Sequence, residues 1–579
     1  MLDGVTREDE PMRTDRAMMA CCCVSVLIAG AACAAPAADP GTPSVSAALA
    51  AGPGAPSVSE LVRVTSTTPY VPPDERSTNV SDVTRCMGPA VVNDVGTIYR
   101  NSESEPFIAV NPKDTTNMIV AHHIDRISIG GGAVGIGVEY TLDDGKHWNS
   151  VLVPLTRCSG APIFSGTPGD FERSTDPWLD FSPGGIAYLV DAPFNVAQDF
   201  SEAFTVARSD DGGQTWRGPF FISLDSTFGT INVYDEPKIV VDPVLPDNVY
   251  FSGVNFPYKG PGKDRLGPGG KQNQMIFSRS TDGGLTWPPL RVVGEFPASK
   301  INERFAIVVV PPSSEHPQGI LVSVFNVAPS TLNKTPSPSD KSYMAVVRSF
   351  DRGDTWTAPA TLDQVVTSAL PLGEPYDAEL GVSFSIGETD IAVDPTNGDV
   401  YAAWEDARFS GTSSDGVVVS RSRDGGATWS RPVSGNPATP PGVQASFEKL
   451  AVAADGTVGI LFYDFRNDKP GDARLDTDAY LTLLTPTANG SLAFASEVRL
   501  TPESFDTRQF ITRSTILSGF AGYFPGDYAG LRAAGNDFVA AFAVANQNGT
   551  VPQFPIEDSY LLVDSVNHQD IVFTRVRRR

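Results

Sequence analysis

From Glu105 onward the chain is a succession of short apolar runs punctuated by Pro, Gly and Asp. The runs Phe107-Ile108-Ala109-Val110, Trp178-Leu179-Asp180-Phe181, Ile239-Val240-Val241 and Ile391-Ala392-Val393 follow polar residues and close on Pro112, Pro183, Pro243 and Pro395. A second apolar run succeeds each one, at Asn117 to His122, Ile186 to Val190, Asn248 to Ser252 and Val400 to Trp404. Paired apolar runs with turn residues between them read as β-hairpins. Further copies run through Arg304 to Val308 with Ile320 to Phe325, Lys449 to Val452 with Val458 to Tyr463, and Tyr528 to Leu531 with Phe538 to Phe542. The pattern predicts seven repeats of one all-β unit, with third strands of the last two at Ala479 to Leu484 and Ile571 to Val576.

A second motif falls inside the same repeat. It reads Thr141 to Trp148, Ser209 to Trp216, Ser280 to Trp287, Ser349 to Trp356 and Ser422 to Trp429, and the last four match S-x-D-x-G-x-T-W. The closing tryptophans Trp148, Trp216, Trp287, Trp356 and Trp429 lie 68, 71, 69 and 73 residues apart, a period long enough for one four-stranded sheet and its loops. Each residue type suits a tight turn: Asp143, Asp211, Asp282, Asp351 or Asp424 accepts backbone N–H groups, the Gly two positions on takes positive φ, and Trp fastens the turn to the sheet. These five segments resemble the Asp box of sialidase-like β-propellers. The resemblance implies an all-β propeller of four-stranded blades, seven by the repeat count, with six, the usual number in sialidases, as the alternative.

The last repeat stops at Arg579 with its fourth strand still missing. Glu60-Leu61-Val62-Arg63-Val64-Thr65 looks like the fourth-strand segment Glu497-Val498-Arg499-Leu500-Thr501, so the N-terminal strand is expected to complete the last blade and leave no open sheet edge. Ahead of it, Asp39 to Ser59 is rich in Pro, Gly, Ala and Ser and reads as a flexible tether. Residues 1–38 carry Arg13 and Arg16, an apolar run and Ala35-Pro36-Ala37, the order of a secretory signal. The expected divisions are a signal at 1–38, a linker at 39–59 and the propeller at 60–579. Cys33 offers lipoprotein anchoring as a competing reading, and the mature chain is placed outside the cytoplasm: secreted, periplasmic or at the cell surface. No later apolar run is long enough to span a bilayer.

Composition changes the picture in three places. With 53 Gly, 48 Pro and 41% hydrophobic residues, the chain is turn-heavy and has enough apolar content for a core. A formal charge of −25, of which −2 falls before Asp39, makes nucleic acid and anionic membranes poor partners; a glycan or glycoprotein, met by a monomer, is the expected partner. Four of the six cysteines lie in the leader, which leaves Cys86 and Cys158 as a disulfide pair or as two thiols.

If the first strand of each repeat is innermost, its start and the exit of the second strand share one face of the ring. Glu105, Asp176, Glu236 and Glu388 occupy matching positions at those starts, with Arg304 in the fourth repeat, while Asp406, Arg408, Tyr463, Asp464 and Arg466 stand at the exits. The sialidase resemblance implies three arginines clamping a substrate carboxylate, a Tyr activated by a Glu, and an Asp as acid and base. Carried onto this chain, Arg304, Arg408 and Arg466 form the clamp, Tyr463 or Tyr523 is the nucleophile, Glu236 or Glu388 its base and Asp176 the acid. Glu105, Asp406 and Asp464 line the substrate. The family's Arg-Ile-Pro signature is absent, Ile98 to Ser102 being the nearest segment.

The expected function is an exported exo-α-sialidase-type glycoside hydrolase, with a non-catalytic propeller that binds glycan or protein as the alternative. Arginines converging on one carboxylate would favour the enzyme, and arginines spent in separate ion pairs the binding module. His122, His123 and Asp125 are too few for a metal centre, and no oxygen-ligand loop of recognised spacing supports calcium, so no metal or cofactor is assigned.

Overall fold

A computed structural model describes residues 56–65, 96–127, 131–161, 165–195, 201–226, 230–259, 271–297, 300–301, 305–329, 341–366, 381–382, 389–411, 414–469, 471–472, 474–510, 522–545, 561–564 and 569–578. The signal segment, Cys86, Arg304 and Glu388 lie outside them. Cys158 is disulfide-bonded.

The chain is all-β, in sheets of four antiparallel strands. The first unit is Gly96–Val110, Met118–Ile127, Ala133–Thr141 and Asn149–Ser150, and the second is Arg173–Phe181, Ala187–Phe194, Glu202–Ser209 and Arg217–Asp225. Thr230–Val241, Val249–Lys259, Lys271–Ser280 and Arg291–Pro297 make the third. Val308–Val310, Ile320–Pro329, Tyr343–Ser349 and Ala360–Gln364 follow, then Thr389–Val393, Val400–Asp406, Gly416–Ser422 and Val433–Ser434. Ala445–Val452, Val458–Asp464, Asp476–Pro486 and Leu492–Arg499 form the sixth.

In the last unit, Gly530–Ala534, Asp537–Ala545 and Gln569–Arg577 are joined by the N-terminal strands Ser57–Val58 and Val62–Arg63, which pair antiparallel with Gln569–Arg577. The tether expected up to Ser59 thus already contributes a strand at Ser57. Two short parallel pairs were not legible in the sequence: Gly96–Tyr99 with Leu561–Asp564, and Gly381–Val382 with Gly522–Tyr523.

The core lies between neighbouring sheets rather than within one. One apolar cluster joins the fifth unit to the sixth through Tyr401, Val419, Leu450 and Phe462. Another joins the last unit to the first, with Phe573 and Ile571 against Ile108, Met118 and Val120, and Val64 of the N-terminal segment beside them. Burying a side chain such as Phe573 stabilises by about 1.5–3 kcal/mol.

The five turns, four S-x-D-x-G and one with Thr141 in place of the serine, are built alike. In the second unit Asp211 accepts from Ser209 Oγ at 2.9 Å, Thr215 N at 2.9 Å and Thr215 Oγ1 at 2.6 Å, while Gly213 N donates to Ser209 Oγ at 2.9 Å. Burial alone would raise the Asp211 carboxyl, but these bonds outweigh it and hold it below its ordinary value. Each turn also docks on the unit before it. A Cβ at Gly145, Gly284, Gly353 or Gly426 would fall 2.1, 2.9, 2.2 or 2.9 Å from Phe573, Tyr188, Phe277 or Val322. The repeat therefore needs glycine twice over, for φ of +79° to +88° and for close approach to a neighbour's side chain. Arginines at the ends of third strands reinforce the dock: Arg208 donates to Gly283 O at 2.8 Å, Arg279 to Arg352 O at 2.9 Å, and Arg575 of the last unit pairs with Asp144 of the first.

The second unit also holds two buried acids that form no ion pair among the described residues. Burial pushes Asp191 up to about 7, against hydrogen bonds from Ser174 and Thr205, and pushes Glu202 up to about 8, against one from Tyr234 N. Both carboxyl groups stay protonated in the fold at pH values where the unfolded chain has lost those protons. That contribution to stability is present below the unfolded values near 4 and is lost as pH rises through 7 and 8. The melting temperature is expected to fall between pH 5 and pH 8, and the double substitution Asp191→Asn, Glu202→Gln should flatten the profile. A melting curve series across that range checks it.

Candidate functional site

The acids of the inner strands owe their position to a repeated backbone irregularity. The ladder slips between Ser104 and Phe107, Thr175 and Trp178, Asp235 and Lys238, and Ser446 and Lys449. At each slip one residue adopts the left-handed region: Glu105 at φ 55°, Asp176 at 54°, Glu236 at 53° and Phe447 at 72°. Such a bulge re-aims a side chain and costs on the order of 1–3 kcal/mol per residue. Phe447 shows that the bulge itself does not require an acid. The carboxylates in the first three units are therefore a choice of side chain at a shared, strained position, all three at most 2% exposed.

His123 ties two of them together. The backbone N–H of Asp176 donates to His123 Nε2 at 3.2 Å, so that nitrogen holds a lone pair and the ring proton sits on Nδ1, 3.1 Å from Ser104 Oγ. Thr175 Oγ1 and Glu105 Oε2 both lie 3.1 Å from the same Nε2. Around Glu236 the partner is Lys238, which pairs with its carboxylate and holds its Nζ 4.0 Å from the Trp178 ring centroid and 4.8 Å from that of Tyr528. Tyr528 in turn donates to Pro177 O at 3.0 Å.

The exits of the second strands are arranged otherwise than expected. Arg408 binds Asp406 through Nε and Nη2, each at 2.8 Å, Asp363 at 2.7 Å and Gln364 O at 2.7 Å. Arg466 binds Asp464 at 2.6 Å, Glu497 at 2.6 Å and Thr439 at 2.9 Å, and lies 3.8 Å from the Tyr480 centroid. Each guanidinium is held by the same Asp-x-Arg device, Arg408 then reaching across to the last strand of the preceding unit and Arg466 to the last strand of its own, so the two are not a shared clamp for a substrate carboxylate. Asp406 and Asp464 are the buried counter-charges of these loops rather than substrate contacts. Burial lifts Asp464 to about 6 even against Arg466.

Tyr463 is also reassigned by its surroundings. Its hydroxyl donates to Ala543 O at 2.8 Å, its ring packs among Phe447, Phe505 and Phe542, and burial drives its pKa up. It is a core residue, not a nucleophile. Tyr463→Phe is expected to cost about 1 kcal/mol of stability and to leave any turnover unchanged, which a melting curve beside a rate assay would check. Tyr523 is half-buried on the Gly522–Tyr523 strand. Three residues on, Gly526 lies so close to Glu105 that a Cβ would fall 2.6 Å from its N, while Tyr523 itself packs against the apolar cluster that holds Tyr463 and Phe542.

Below the acids a cavity of about 510 Å³ runs between the inner strands, with Trp178, Asp180, Lys238, Asp390, Val452 and Arg532 in its wall. Lys238 links this cavity to Glu236. Reading of the acids alone missed Lys238, Asp180 and Arg532; for the first two the signal was there in the period-2 alternation, since they stand two residues beyond Glu236 and four beyond Asp176. Among the described residues no group of three or more His, Cys, Asp or Glu is placed to hold a metal ion.

No family model matches the chain, and no curated protein does. Solved structures resemble it at low identity. A protein of unknown function from Dyadobacter fermentans is 14% identical over 84% of this chain and 98% of its own, with a TM-score of 0.37. The α-L-arabinanase of Penicillium chrysogenum is 12% identical over 71% and 99%, at 0.38, and the leech intramolecular trans-sialidase 11% identical over 85% and 95%, at 0.38. With TM-scores below 0.5, these likenesses do not decide the function.

Proposed function

We propose that the chain is an exported, sialidase-like glycoside hydrolase, a seven-bladed Asp-box propeller closed by its N-terminal strands and acting on extracellular glycans. One observation carries the reading: three successive inner strands spend a strained left-handed position on a carboxylate where Phe447 shows that none is needed. Paired carboxyl groups are what glycoside hydrolysis requires, one to protonate the leaving oxygen and one to activate the attacking group. Glu105, whose Oε2 lies 3.1 Å from His123 Nε2, takes the acid's role. Asp176, on the neighbouring strand, is the base. Tyr523, Arg304 and Glu388 stay as candidates from the sequence, while Glu105 and Asp176 here take roles other than the substrate contact and the acid that the resemblance implied.

The second reading, a non-catalytic propeller that binds glycan or protein, is favoured by the commitment of Arg408 and Arg466 to separate ion pairs. A panel of fluorogenic glycosides separates the two: neutral α-L-arabinofuranosides and β-galactosides beside an α-sialoside, incubated with the mature chain between pH 4 and 8. Turnover of any member supports the hydrolase. A folded sample inert toward all of them leaves the binding module.

A further inference from the structure

The cavity between the inner strands is lined by Arg532, which has no ion-pair partner among the described residues. Turn residues Pro112, Pro395 and Gly535 form its mouth, at the opposite ends of the strands from Glu105, Asp176 and Glu236. Inside, the Arg532 guanidinium lies 4.3 Å from the Phe107 ring centroid, and its Nη1 donates to Leu531 O at 2.9 Å. Among the described residues its other donors meet no protein acceptor, and no carboxylate stands within ion-pairing distance. Asp180 and Asp390 line the same cavity and are the charges that act on it. Both are partly engaged: Asp180 accepts from Phe181 N at 2.9 Å and Val241 N at 2.8 Å, and Asp390 from Leu450 N at 2.7 Å. Each carboxylate oxygen retains room for one more donor.

Arg532 is half-buried, so its remaining donors face the cavity, where a ligand that supplies acceptors in place of water satisfies them. What would satisfy it is constrained by the neighbours. A free anion would meet Arg532 but also two carboxylates, with Glu236 already neutralising Lys238. An amine would gain the carboxylates and lose the arginine. A neutral ring bearing several hydroxyl groups serves both, accepting from Arg532 and donating to Asp180 and Asp390, while its C–H faces rest on walls such as Val240 and Ala392. The volume of about 510 Å³ lies in the range of small-molecule sites, ~300–1,000 Å³.

We infer that this cavity is a binding site for a neutral monosaccharide unit, separate from the acid layer and reached from the turn end of the inner strands. The inference does not depend on hydrolysis. Calorimetric titration of the mature chain with D-galactose, L-arabinose, N-acetylneuraminate and glycine tests it, alongside Arg532→Met and Ala392→Leu, the latter filling the cavity without touching a charge. Saturable binding of a neutral sugar is expected, weakened about tenfold or more by Arg532→Met and abolished by Ala392→Leu, in samples whose melting curves show them folded. The inference is overturned by no saturable heat with either neutral sugar, by binding that survives Ala392→Leu, or by binding confined to N-acetylneuraminate or glycine. Hydrolysis measured on the same samples keeps the two proposals apart: sugar binding without turnover removes only the hydrolase, and turnover with no such binding removes only this site.

Discussion

Gly353→Ala is expected to destabilise the protein by roughly 3–5 kcal/mol, more than any single loss of a turn hydrogen bond. Two terms add. The residue sits at φ +88°, where a Cβ is strained, and that Cβ would lie 2.2 Å from the Phe277 ring of the preceding unit. Phe277 is fully buried and packs edge-on against Trp356 at 5.4 Å, so it has nowhere to retreat. Gly411→Ala supplies the control, because Gly411 is at φ +82° with nothing within 4 Å of its virtual Cβ; it should show the backbone strain alone, about 1 kcal/mol. Chemical denaturation of both variants measures the difference. Equal losses would mean that the turn does not clasp its neighbour.

The second large effect concerns the chain's first strand. Deleting residues 1–65 removes the strands at Ser57–Val58 and Val62–Arg63 together with the bond from Val64 N to Ile571 O at 2.9 Å and the ion pair of Arg63 with Asp570 at 2.6 Å. It also uncovers the apolar surface beneath Val58, Leu61 and Val64. Burial of those three side chains contributes on the order of 5 kcal/mol, and the unpaired edge of Gln569–Arg577 becomes a template for association. The truncated chain should melt earlier and aggregate on heating, which scattering during a melt would detect. A truncated chain that melts like the parent would place the stability of the last unit elsewhere.

Much of this architecture could be read from residues because repetition makes weak local signals mutually reinforcing. The hairpin runs ending at Pro112, Pro183, Pro243 and Pro395 fall where strands turn, and the segment around Val62 does pair with the last long strand. The turn chemistry of Asp211 was legible because it is local in sequence. Its docking on the preceding unit was not, since nothing near Gly353 names Phe277 as its neighbour. The site was harder still. Arg408 and Arg466 look like a clamp in a sequence because charge and position in the repeat are visible, whereas the acids that consume them are distant in sequence: Asp363 on the preceding unit's sheet and Glu497 on another strand of the same sheet. Tyr463 failed for the same reason: its burial among Phe447, Phe505 and Phe542 is a tertiary fact. The left-handed bulges under Glu105, Asp176 and Glu236 leave no mark in composition, because the same backbone accepts Phe447.

The central claim is that the carboxylates on those bulges do chemistry, and their removal tests it most directly. Rates of fluorophore release from the best substrate of the glycoside panel would be compared for the parent chain, Glu105→Gln and Asp176→Asn, each matched for folding by its melting curve. The account predicts that kcat/KM falls by about 10²–10⁴ in each, with the alkaline limb of the pH profile lost in Glu105→Gln because the proton-bearing group is gone. Folded variants that both keep the rate of the parent, on a substrate the parent turns over, would contradict it.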